Sequence, residues 1–192
     1  MTLVDVLATR TESKQLHTAT RLAALLFMTV LTAAAAQVSF SIPFTAVPFT
    51  LQPMVVLMAG LALGPRLGLA SQVLYLAAGL AGLPVFAASA TLPMGAARLF
   101  GPTGGYLMSY PFAAMLTGYL AVRGFDRRYV TSVLAMVAGL AVIYACGTLW
   151  LGLFVGGLRP ALAGGVYPFV AGDAIKLLGA AAVMPTLWRF LR

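Results

Sequence analysis

The sequence reads as an all-α membrane protein: six transmembrane helices, with the N-terminus and the C-terminus both cytoplasmic. Three observations carry that reading. Apolar residues make up 61% of the 192 residues and charged ones 8%, with a mean hydropathy of +0.99, whereas a soluble domain carries about 25% charged residues. A soluble fold of this length has too little interior for so much apolar surface. Runs of about twenty mostly apolar residues recur along the whole chain, as a helical membrane protein requires, and the alternation of a membrane β-barrel is absent. Lysine and arginine, finally, gather in the short gaps between the runs.

The segments follow in order. Residues 1–21 are polar and mixed in charge. They lack the apolar core and small-residue cleavage site of a signal peptide, and read as a cytoplasmic tail leading into a membrane domain of residues 22–192. Span 1 is placed at 22–38, span 2 at 50–63 (short, with Pro53), span 3 at 67–83, span 4 at 105–122, span 5 at 129–158 and span 6 at 167–191. With the N-terminus inside, the inner segments hold Arg10, Lys14, Arg21, Arg66, Arg123, Arg127, Arg128, Arg189 and Arg192, and the outer ones hold only Arg98 and Arg159. That asymmetry is the positive-inside pattern. It also explains the net charge of +8 without nucleic acid, which would call for a basic face rather than basic gaps. Inner connections are tight, whereas the outer ones at 39–49 and 83–104 are long and rich in Pro, Gly and aromatics. Loops of that length are often functional. They can cover an external site or simply cap the bundle.

The chemistry concentrates in AGDAIKLLG, residues 171–179, where Asp173 and Lys176 interrupt an apolar run. Trp188 and Arg189 read as the inner-interface anchor of span 6. Asp173 then lies about 24 Å up a hydrocarbon core about 30 Å thick, and Lys176 about 4.5 Å deeper. Three apart on a helix, they share a face. A charge at mid-membrane costs about 2.5–3.5 kcal/mol on insertion scales, and ionisable groups there default to function. The rival reading is an ion pair that only holds helices together. As a site, Asp173 offers acceptors for N–H groups and Lys176 donors for a carbonyl or carboxylate. Gln52 can do both, Tyr75 and Tyr106 add aromatic walls with hydroxyl tips, and Arg98 in the outer loop suits an anionic tail. The ligand class is a small, partly apolar molecule with an N–H/C=O group and an acid.

Other chemistry finds no support. No G-x-x-x-x-G-K-[ST] occurs; GPTGGY at 101–106 lacks the lysine and reads as a sharp entry into a helix. His17 in the tail and Cys146 in mid-span, read as a small buried thiol, form no catalytic dyad and no metal cluster. Concentrative uptake would draw its energy from partner subunits or an ion gradient. Ala19 and Ala23, four apart at the cytoplasmic end of span 1, permit a close helix approach, either as a docking patch for another subunit or within the chain's own bundle.

VPFTLQPMVVLMAGLALGPRLGLASQVLYLAAGLAGLPVFA (47–87), GPTGGY (101–106) and GDAIK (172–176), in that order and spacing, resemble BioY, the biotin-specific substrate-binding component of energy-coupling factor transporters. The resemblance covers residue 22 to the C-terminus. It implies a six-helix component that binds biotin near the outer face and works with a transmembrane coupling protein and two cytoplasmic ATPases, with no cofactor of its own. It implies that Asp173 accepts from a ureido N–H and that Lys176 meets a polar oxygen of the ligand. Thr45 or Thr50, Gln52, Tyr75 and Tyr106 would line the site, and Arg98 would meet the carboxylate. The loop ASATLPM offers only Ser89 and Thr91 as hydroxyl partners. The family's small-residue motif on the first helix has its nearest match in Ala19 and Ala23. An intramembrane enzyme using Asp173, or a structural membrane protein with an Asp–Lys helix-holding pair, are the alternatives.

Overall fold

The protein is described by a computed structural model covering residues 2–9, 13–88, 93 and 95–191, with Thr9 and Leu191 as backbone only. The chain is overwhelmingly helical. Its elements are α1 (Leu3–Thr9), α2 (Lys14–Gln37), a short antiparallel pair β1 (Ser39–Phe40) and β2 (Phe49–Thr50), α3 (Gln52–Leu63), α4 (Pro65–Leu80), α5 (Ala96–Phe100), α6 (Gly104–Val122), a 3-10 turn (Phe125–Arg127), α7 (Tyr129–Val155), α8 (Leu158–Gly165), α9 (Tyr167–Ala181) and α10 (Val183–Leu191). Among the described residues three stretches are long and apolar enough to cross a membrane: Lys14–Gln37, Tyr129–Val155 and Tyr167–Phe190. The apolar segments expected at 50–63, 67–83 and 105–122 are the helices α3, α4 and α6.

Local chemistry sets the ends of these elements. Ser13 caps α2, its hydroxyl accepting from the Leu16 N–H at 3.1 Å, so the helix starts well before its apolar part. Gly64 (φ +81°) and Pro65 make the turn between α3 and α4: glycine takes the left-handed backbone and proline opens the next helix without losing a needed donor. Span 5 stops at Val155, short of the expected 158, because Gly156 (φ 80°) terminates α7. Span 6 is not one helix. It breaks at Ala182, where Pro185 cannot donate to the carbonyl four residues back.

Helix α6 is the hub, packed against α3, α4 and α7. Tyr75, Leu57, Leu61, Met136 and Ile143 fill the interior. Large apolar side chains such as Phe27, Val30, Leu149, Leu153, Ile175 and Phe190 stand outward, as lipid solvent demands. Cys146, expected to be buried, is exposed. The buried residues around it on α7 are Ile143, Gly147, Thr148 and Leu151, and Cys146 is turned about 100° away from Gly147 by the helix rotation.

At the end of the bundle that holds the α3–α4 turn, part of the expected tail is ordered. Leu3, Val4 and Ala8 of α1 are buried against α2 and α3. Thr2 donates twice to Asp5 Oδ2, at 3.1 and 2.9 Å, and Arg21 donates to Asp5 Oδ1 at 2.7 Å. Burial pushes the Asp5 carboxyl up, but these bonds outweigh it and hold the pKa below the usual carboxylate value. At the same end Trp188 donates to the buried Asp126 at 2.6 Å. Burial raises the Asp126 pKa, and the bond from Trp188 offsets only part of that.

Candidate ligand-binding site

Helix α3 has twelve residues and is about 18 Å long, too short for a core about 30 Å thick. Non-helical backbone at that depth is tolerated only where protein buries it or where it lines a cavity. Both hold here. The β1–β2 segment enters the bundle beside the α3 N-terminus, and next to it lies a partly open cavity. Its wall is mostly apolar and aromatic, with Val47, Pro48, Phe86, Leu107, Ile143 and Phe169 among its residues. The N-terminal ends of α3, α6 and α9 all reach it, placing partial positive charge around a site for acceptor or anionic groups.

Five expected residues line this cavity: Asp173, Gln52, Thr50, Tyr106 and Arg98. Asp173 and Leu177 face inward on α9 while Ile175 and Leu178 face out, which places the carboxylate against the cavity. Asp173 Oδ2 accepts from the Tyr144 hydroxyl at 2.5 Å, and Oδ1 pairs with Lys176. Gln52 donates from Nε2 to the Tyr75 hydroxyl at 2.6 Å, and Tyr75 donates in turn to the Val85 carbonyl at 3.2 Å. Arg98 is buried and donates to the Ala87 carbonyl at 3.0 Å. Tyr106 donates to the Gly165 carbonyl at 2.9 Å.

The other three expected residues stand behind the wall. Tyr75 is fully buried, in edge contact with Phe86 and stacked on Tyr110, and it orients Gln52. Thr45 donates to the Gly164 carbonyl at 2.5 Å, tying the segment between the strands to α8. Lys176 lies beside a smaller recess with Met54 and Leu140. Its ammonium contacts Asp173, donates to the Thr50 carbonyl at 2.7 Å and sits 3.9 Å from the centre of the Phe49 ring. All three ammonium donors are thereby directed at protein groups. Ser89 and Thr91 lie outside the described residues.

Sequence reasoning missed Tyr144, Tyr110 and Thr103, all on the cavity wall. Tyr110 follows Tyr106 by one helical turn, a spacing that marks a shared face. Tyr144 is a polar tip inside the apolar VIYAC. Thr103 had no signal beyond its place in GPTGGY. Its hydroxyl is buried and has no hydrogen-bond partner among the described residues, a polar atom left for a ligand or water.

Residues 9–192 match the profile of the BioY family. The chain belongs to that family. It is 42% identical over 157 residues to a probable biotin transporter BioY of Pyrococcus horikoshii, covering 82% of this chain and 89% of the relative. It is 40% identical over 143 residues to the biotin transporter BioY of Thermotoga maritima, covering 74% and 82%. Its fold superimposes with a TM-score of 0.82 on the crystal structure of the S-component for biotin from an ECF-type ABC transporter, at 26% identity and over 93% of this chain and 95% of that one. BioY membership agrees with the sequence motifs, all of which fall within the matched region, and the VPFTLQ, GPTGGY and GDAIK motifs converge on the one cavity.

Proposed function

We propose that this chain is the membrane substrate-binding subunit of a biotin uptake system, and that the cavity at Asp173 is its biotin site. The observation that carries the reading is the meeting of three family motifs around a buried carboxylate in a chain whose relatives are biotin transporters. Biotin brings a ureido ring with two N–H groups and one C=O, a thioether ring, an apolar chain and a carboxylate. The Asp173 carboxylate keeps lone pairs beyond those used by Tyr144 and Lys176, and one accepts a ureido N–H. Gln52 and the free Thr103 hydroxyl serve the remaining ring polar groups. The apolar wall holds the chain, and Arg98 meets the carboxylate. Lys176 acts mainly by holding Asp173 in place.

The chain crosses the plasma membrane of a prokaryotic cell six times, α9 and α10 together forming the last span, with both termini cytoplasmic. The Lys and Arg asymmetry supports that orientation, which opens the cavity outward. The protein is a transport component and not an enzyme. A transmembrane coupling protein and two cytoplasmic ATPases supply the energy, since this chain has no P-loop.

Labelled biotin binding to the purified full chain tests the proposal. The wild type retains biotin. Asp173→Asn, which keeps size but loses the charge-assisted bond, binds about tenfold or more weakly. If the wild type retains no biotin, the substrate is wrong. If Asp173→Asn binds like wild type, the site is wrong.

A further inference from the structure

A second cavity lies at the opposite end of α3 from the Asp173 site, against the α3–α4 turn. It is a partly open cavity of about 340 Å³ between α1, α2, α4 and the end of α6. Its polar side holds Arg21, Arg66 and Asp5, and its apolar side Leu63, Leu67 and Val122. The biotin reading has no use for it.

The charges are unequal. Asp5 has both oxygens committed, Oδ2 to Thr2 and Oδ1 to Arg21. Arg21 uses one NH2 in that bond and stands half-exposed, with donors remaining in its five-donor fork. Arg66 is exposed and has no hydrogen bond or ion pair among the described residues. Two guanidinium groups against one neutralised carboxylate leave the cavity cationic. Arg123 extends the positive rim beyond Val122, its guanidinium 4.1 Å from the centre of the Tyr119 ring.

The position of the cavity is equally specific. Arg21 is the last polar residue before the apolar run that begins at Leu22, so it sits where headgroups meet hydrocarbon. Val122 and Leu22 are exposed apolar side chains. Guanidinium groups recognise phosphate by paired N–H donors, and basic pockets between membrane helices at the interface hold anionic headgroups. We propose that this cavity binds an anionic phospholipid, its phosphate between Arg21 and Arg66 and the start of its acyl chains along Leu67 and Val122. A soluble phosphate would use the arginines and leave the apolar side empty. The inference rests on the proposed membrane placement and not on the identity of the transported ligand.

The test is native mass spectrometry of the full chain released from mixed micelles holding equal amounts of phosphatidylglycerol and phosphatidylcholine. The wild type retains phosphatidylglycerol preferentially, by about fivefold for each arginine engaged. Arg66→Gln, at an exposed position outside the biotin site, brings the two lipids near parity while biotin retention stays as in wild type. An Asp5→Asn/Arg21→Gln double variant, which leaves no lone carboxylate, lowers the preference likewise. Equal retention of both lipids by the wild type overturns the proposal, as does a preference unchanged in Arg66→Gln. Displacement of the bound lipid by millimolar inorganic phosphate overturns it in favour of a soluble anion. Failure to bind biotin would sink the transport reading and leave the lipid result standing.

Discussion

Tyr144 shows how a carboxylate is held at the membrane depth proposed for Asp173. An isolated charge there costs about 2.5–3.5 kcal/mol on insertion scales, yet Asp173 is held by an ammonium on one oxygen and a phenol on the other. The phenol comes from α7 and the ammonium from the same helix as Asp173, so the two fix the carboxylate in two directions. Tyr144→Phe removes one hydrogen bond and almost no volume. A bond to a charged acceptor contributes about 1.5–3 kcal/mol, only part of which reaches the ligand, so biotin affinity should fall about fivefold to tenfold while the variant elutes and folds like wild type. Equilibrium binding checks it, and an unchanged affinity would mean that Lys176 alone positions Asp173. At this scale the sequence was partly legible. Asp173, Gln52 and Arg98 announced themselves because polar groups are costly in an apolar chain. Tyr144, Tyr110 and Thr103 did not, because a tyrosine in an apolar run serves equally well as packing and a lone hydroxyl carries little penalty. Lys176 looked like a ligand contact, and only the geometry directs its donors at Thr50 and Phe49.

Helix α8 shows the limit of legibility among the elements. The apolar runs and their turns were readable, since each run is long and each gap holds glycine, proline or arginine. The short pieces were not: α8, α5, the β1–β2 pair and the break at Ala182 are all shorter than the window over which hydropathy separates a helix from a loop. Three of them each put a residue on the cavity wall: Thr50 from β2, Arg98 from α5 and Gly165 from α8. Gly165, the last residue of α8, is one case. A Cβ there would run into the Tyr106 hydroxyl, and one at Gly147 of α7 would run into the same ring, so the two glycines form a slot that holds Tyr106 against the cavity. Gly165→Ala overpacks that slot, at a cost of about 1–3 kcal/mol. The middle of that range is worth about thirtyfold in an equilibrium and only part of it reaches the ligand, so biotin affinity should fall about tenfold with the helical content unchanged. Circular dichroism and binding on the same sample decide it. If the variant binds biotin normally, Tyr106 does not need that position and belongs to the packing and not to the site.

The whole molecule separates its tasks along one axis. The Asp173 cavity lies at the end where the loops gather, and α1, the basic gaps and the Arg21–Arg66 cavity lie at the other. The coupling proposed here must therefore pass between a ligand outside and partners that touch the chain within the membrane or below it. Ala19 and Ala23 are both exposed, one turn apart on α2, beside the exposed Leu16, Leu22, Leu26 and Phe27. Among the described residues no helix covers that face, which supports the proposal that a partner helix occupies the patch. Small residues matter there because they let two backbones approach closely. Ala19→Trp and Ala23→Trp place a large ring on that exposed face. The chain should fold and retain biotin as wild type does, because the patch is remote from Asp173. In cells that supply the coupling protein and ATPases, biotin uptake should be lost, and the coupling protein should no longer co-purify with the variant chain. Normal uptake by both variants would place the docking surface elsewhere. Loss of biotin binding together with uptake would show instead that this face supports the fold.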